Sequence, residues 1–92
     1  MIKVEYVLDG SEKQYLEIPA SDLESYDSEE SVFDDIGKTD LVLKELLESV
    51  SSRLGLEYDH QESIQSSVYE YADKLGFTRL QGELGGKSIF IT

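Results

Sequence analysis

The chain has 92 residues, with 20 Asp and Glu against 8 Lys and Arg and a formal net charge of −12. That length suits one domain, 1–92, and although the charge opposes the compact state, a hydrophobic content of 39% with six Tyr and three Phe is too rich for a disordered solvating tail. The absence of Cys excludes disulfides and thiolate metal sites, no apolar run approaches the ~18 residues of a membrane span, and the first strand-like segment is too short and charged for a secretory leader, so a cytoplasmic protein without membrane contact is expected.

In chain order, Ile2, Val4, Tyr6 and Leu8 alternate with Lys3, Glu5, Val7 and Asp9, which is the period of a half-buried strand. Asp9-Gly10 supplies hairpin turn chemistry, and Tyr15 to Ile18 alternates again until Pro19, which cannot donate to a ladder. From Thr39 the period becomes helical. Leu43, Leu46, Leu47, Val50 and Leu54 fall on one stripe, Thr39 or Asp40 is placed to cap it, and Gly55 to stop it. A second helix is predicted from Asp59, with Glu62 three residues on in the manner of a capping box, through Ile64, Val68, Tyr71, Ala72 and Leu75 to a stop at Gly76. Phe77 to Gln81 and Lys87 to Thr92, around Gly85-Gly86, read as a closing hairpin. The expectation is an α+β domain of ββααββ order, with a mainly antiparallel sheet and two helices packed on one face.

One segment stands apart. Between Lys13 and Lys38 the chain carries Glu17, Asp22, Glu24, Asp27, Glu29, Glu30, Asp34 and Asp35 and no basic residue. Ser21 with Glu24 resembles another capping box, and Leu23, Tyr26, Phe33 and Ile36 could anchor a helix or compact loop that leaves the carboxylates facing solvent. The acid excess lies entirely before Ser63, because Glu70, Asp73 and Glu83 balance Lys74, Arg79 and Lys87.

Such a face has three readings. It can be a solvated surface that serves solubility alone. It can hold a hard cation, but Asp27-Ser28-Glu29-Glu30-Ser31 lacks the spacing, the Gly and the distal Glu of a Ca²⁺ loop, so no metal site is expected. Or its carboxylates can take the place of nucleic-acid phosphates on a basic partner. Acids two apart in a strand, or three to four apart on a helix, set their Cβ atoms ~5–7 Å apart, the distance scale of neighbouring phosphates. A groove lined with Lys and Arg that gains affinity by neutralising phosphates could be occupied by them. On this reading Glu17, Asp22, Glu24, Asp27, Glu29, Glu30, Asp34 and Asp35 are the candidate partner-binding residues.

The length, the lopsided acidity, the lack of Cys and Trp, and the run Asp22-Leu-Glu-Ser-Tyr-Asp-Ser-Glu-Glu30 make the chain resemble the small anti-restriction DNA mimics of bacteriophages, in particular the Arn type of T-even phages. The resemblance covers the whole chain in size and charge and rests on no diagnostic motif. It implies a homodimer whose joined acidic surfaces imitate duplex DNA, a host restriction endonuclease of the McrBC type as target, and basic nucleoid proteins such as H-NS as secondary partners. It implies a place in the host cytoplasm and carries over no individual residue.

Catalysis finds little support. His60, the only His, sits between Asp59 and Gln61 at an expected helix start, no Gly-rich phosphate loop or His-based metal cluster is present, and adjacent Asp34 and Asp35 diverge on a strand or a helix. No enzyme activity and no cofactor are expected. Direct nucleic-acid binding is disfavoured because the second helix carries Glu62, Glu70 and Asp73 against Lys74 alone. The competing reading is an interaction module or adaptor subunit that binds through apolar surface while the acids keep it in solution.

Overall fold

The computed structural model describes residues 2–24, 36–84 and 87–91, with backbone alone for 36–39, 83, 84 and 87–91. Strand β1 (Ile2–Leu8) and strand β2 (Gln14–Ile18) form the first hairpin. Gly10 turns it with a φ of 76°, a conformation that a residue without Cβ adopts freely, and the Ser11 hydroxyl donates to the Leu8 carbonyl at 2.9 Å. A 3₁₀ turn at Ala20–Asp22 follows, then helices α1 (Ile36–Arg53), α2 (His60–Gln65) and α3 (Val68–Lys74), and the strands β3 (Phe77–Leu84) and β4 (Lys87–Ile91). The class is α+β, and the sheet is antiparallel with strand order β2-β1-β3-β4.

The two hairpins therefore meet through β1 and β3, 70-odd residues apart in the chain, with Glu5 opposite Gln81 and Tyr6 opposite Leu80. Thr78 is an extra residue in this pairing, since Val7 faces Arg79 while Leu8 faces Phe77. The bulge explains why Phe77 and Leu80 are both buried although they stand an odd three positions apart, and the Thr78 hydroxyl donates to the Val7 carbonyl beside it.

Period-two alternation sends Ile2, Val4 and Tyr6 to the core and Lys3 to solvent, with Glu5 and Val7 half-buried on the same outer side. Val42, Leu43, Leu46, Leu47 and Val50 of α1 meet that core, and Leu46 approaches the sheet beside Ile2, Val4 and Gly82. Leu46, Leu47, Val50, Val4, Ile18 and Leu80 show no exposed surface at all.

Three sequence expectations change. Helix α1 begins at Ile36, so Thr39 and Asp40 are interior residues and not its cap. No helix begins at Ser21: the 3₁₀ turn there has Pro19 at its N-cap position without a side-chain cap, and it ends at Leu23. The second helix is two helices. Asp59 does cap α2, accepting from the Gln61 and Glu62 amides, but Ser66 is extended at φ −105°, ψ 154°, and Ser67 starts α3 afresh by accepting from the Glu70 amide at 3.1 Å. A Ser hydroxyl offers the backbone a local alternative to the helical ladder, and the Ser67 hydroxyl, bound to the Glu70 amide, starts a new helix there. The break rotates the stripe, so Ile64 stands 76% exposed while Ser63 is buried. Tyr26 and Phe33, read as anchors, lie outside the described residues.

Candidate functional site

The polar stripe of α1 is set by its apolar one. With Leu43, Leu46, Leu47 and Val50 turned inward, Glu45 and Glu48 occupy neighbouring turns of the other side, three residues apart, where Cβ atoms stand ~5–6 Å from each other. The 3₁₀ turn comes alongside this stripe because Leu23, 2% exposed, is planted in the core. Between them runs an open groove of about 460 Å³ walled by Asp22 and Glu24 on the turn and by Glu45, Glu48, Ser49 and Arg53 on the helix.

Four carboxylates share that groove with one guanidinium. Arg53 Nη2 lies 3.0 Å from Asp22 Oδ2, with both side chains about one-third exposed. Ser49, 8% exposed, donates its hydroxyl to the same Asp22 oxygen at 2.8 Å and accepts from Arg53 Nη1 at 3.1 Å. At the far end Glu48 Oε1 lies 3.1 Å from His60 Nε2. Glu24 stands exposed on the rim.

The cations are used up elsewhere in the same way. Each Lys or Arg whose side chain is described has a partner within the chain. Lys13 and Arg79 flank Glu5 at 3.3 and 3.1 Å, Lys44 pairs with Asp40 at 3.1 Å, Lys74 holds Glu62, and Lys3 sits 5.1 Å over the Tyr15 ring. Exposed pairs of this kind contribute little stability, but they leave the carboxylate excess as the field that a partner meets.

The structure distributes the eight candidate residues unequally. Glu17 is exposed on β2, opposite Lys3 in the strand register and away from the groove. Asp22 lines the groove but is occupied by Ser49 and Arg53, so it is not a free phosphate-like group. Glu24 lines the groove. Asp27, Glu29, Glu30, Asp34 and Asp35 lie outside the described residues. Glu45 and Glu48, not singled out from the sequence, stand where the groove needs them. The signal was available, because the apolar stripe of α1 dictates which acids face outward, but nothing local said that the turn at Ala20–Asp22 would lie beside them.

A second open cleft, of about 870 Å³, lies between α2 and α3 and includes Tyr58, His60, Tyr71 and Lys74. The Tyr58 ring meets His60 and Tyr71 edge-on at 5.0 and 5.1 Å, and the Tyr71 hydroxyl accepts from the Asp59 amide. Burial raises the Tyr58 phenol above its ordinary value, against a hydrogen bond with Ser63 that lowers it. His60 thus has its described contacts with Glu48 and Tyr58, while the Ser49 hydroxyl in the groove is engaged by Asp22. Among the described residues no group of three or more His, Asp or Glu could hold a metal ion, and no helix is long and apolar enough to cross a membrane. Comparison with protein-family models, with curated proteins and with solved structures finds no match to this chain.

Proposed function

We infer that the protein is a DNA mimic that binds the basic, DNA-binding surface of a host protein, a restriction endonuclease of the McrBC type, and so protects phage DNA. The observation that carries this reading is the groove, where Glu24 is brought beside Glu45 and Glu48 while the described Lys and Arg side chains are already paired within the chain. Carboxylates gathered along one groove offer a Lys- and Arg-lined channel the charges that it is built to neutralise, and a net charge of −12 draws such a surface in from a distance. The partner is a protein, not nucleic acid, since the same field repels phosphates. A nucleoid protein such as H-NS offers the same chemistry, and pairing of two copies would extend the acidic surface.

The test is inhibition of cleavage by a McrBC-type enzyme, measured at rising salt and against excess duplex DNA. Steep loss of inhibition with salt and relief by DNA are expected, and inhibition indifferent to both would sink the reading. One observation favours an adaptor instead: Ile64 and Tyr69 are 76% and 52% exposed, apolar surface that an interaction module could use. Affinity that survives salt and is lost on Ile64→Ser would select that alternative.

A further inference from the structure

The interaction between Asp22 and α1 spans 27 residues of chain and joins three polar side chains at one point. Ile18 and Leu23 hold the two ends of the turn in the core, and the Asp22 side chain between them reaches α1. The Ser49 hydroxyl and the Arg53 guanidinium, both bound to Asp22 Oδ2 and to each other, add a polar tie between the turn and α1. Ser49 is 8% exposed, so it is held in the wall of the groove and not on a free surface. An Arg used only for charge would subtract from an acidic surface. An Arg that holds the rim in place earns its position in another manner.

We propose that Ser49 and Arg53 are positioning residues of the acidic groove: together they lock the Ala20–Asp22 turn against α1 and thereby keep Glu24 in the groove that Glu45 and Glu48 line. The proposal rests on the reading of the groove as a surface for a basic partner, and it makes predictions opposite in sign to those of charge alone. Arg53→Gln makes the chain more acidic, so simple electrostatics strengthens binding to a cation-rich partner. Positioning weakens it. Ser49→Ala changes no charge, so electrostatics leaves binding unaltered while positioning weakens it.

The experiment uses the full chain, wild type and the variants Ser49→Ala, Arg53→Gln and Arg53→Lys, with a deca-arginine peptide as the basic probe. Hydrogen exchange at the Asp22 and Leu23 amides, which donate to the Pro19 and Ala20 carbonyls, reports the turn independently of any partner. Loss of hydrogen bonds to charged groups is expected to speed that exchange on the order of tenfold in Ser49→Ala and Arg53→Gln. Probe affinity falls severalfold in both, and Arg53→Lys, which keeps the charge but not the fork, recovers part of each effect. Tighter binding by Arg53→Gln with wild-type affinity in Ser49→Ala overturns the proposal, as does unchanged exchange in both. A wild-type chain that ignores the peptide refutes the binding-surface reading instead, and exchange then decides the lock by itself.

Discussion

Replacing Glu24, Glu45 and Glu48 together by Gln removes three groove carboxylates and takes the net charge from −12 to −9 without altering side-chain size. Solvent-exposed ion pairs are each worth about 0.2–1 kcal/mol, so the loss against a basic partner is about 0.6–3 kcal/mol in all. At 1.4 kcal/mol per tenfold this is roughly a 3- to 150-fold weaker inhibition. The matched control replaces Glu12, Glu70 and Asp73, exposed residues that do not line the groove, by Gln, Gln and Asn. It reaches the same net charge. Because exposed charges more than ~10 Å apart are largely screened at 0.1 M salt, the two variants should differ most at moderate salt, where only close contacts survive. The assay is the inhibitor concentration that halves cleavage by a McrBC-type enzyme, at about 50 and 200 mM salt, with circular dichroism to confirm the fold. The reasoning is refuted if groove variant and control lose inhibition equally, since net charge would then suffice, or if neither loses any.

The remaining predictions concern the scaffold that presents this surface. A Cβ at Gly82 would meet Ile2 Cγ2 and Leu46 Cδ2 at 3.5 Å and Val4 Cγ2 at 3.7 Å, ordinary contacts, so Gly82→Ala should stabilise by about 0.5–1 kcal/mol and raise Tm by a few degrees. A lower Tm in a thermal melt would show that the strand has no room there. Ser67→Ala removes the acceptor for the Glu70 amide and should cost about 1 kcal/mol in urea unfolding, with Ser67→Asp retaining most of it, whereas an unchanged midpoint would deny Ser67 a role in starting α3. The Glu62 hydrogen bond raises Lys74 above its ordinary 10.5, burial opposing it. A raised folded value means that the stability linked to protonation of Lys74 is lost only as pH climbs from 10.5 through the folded value, so nothing changes near neutrality. Titration of Lys74 by NMR should show that rise shrink in Glu62→Gln, and an unchanged value would deny Glu62 the leading part in it.

The elements that could be read from the sequence are those whose cause is local. The alternation Ile2, Val4, Tyr6 placed β1 and its buried face, and Gly10, Gly55 and Gly76 were recognised as turn or stop residues and adopt φ of 76°, 73° and 92°. The stripe through Leu46, Leu47 and Val50 named the inward side of α1. Where local signals compete, tertiary packing and capping decide between them. Ser66 and Ser67 lay inside an apolar period that favoured one long helix, and a second capping box, Ser67 with Glu70, outweighed it. Ile64 was misplaced for the same reason.

The sequence by itself determined the acidic excess, the period of β1, the inward stripe of α1 and the turns or stops at Gly10, Gly55 and Gly76, because each depends on composition or on residues within a few places of one another. Only the tertiary structure decided that β1 pairs with β3, that Glu5 gathers Lys13 and Arg79, and that Asp22 is bound by Ser49 and Arg53 in a groove that Glu24, Glu45 and Glu48 also line. These are contacts between residues distant along the chain. They exist because burying Leu23, Leu46 and Leu80 in one core carries the charged neighbours of those residues to the places where they meet.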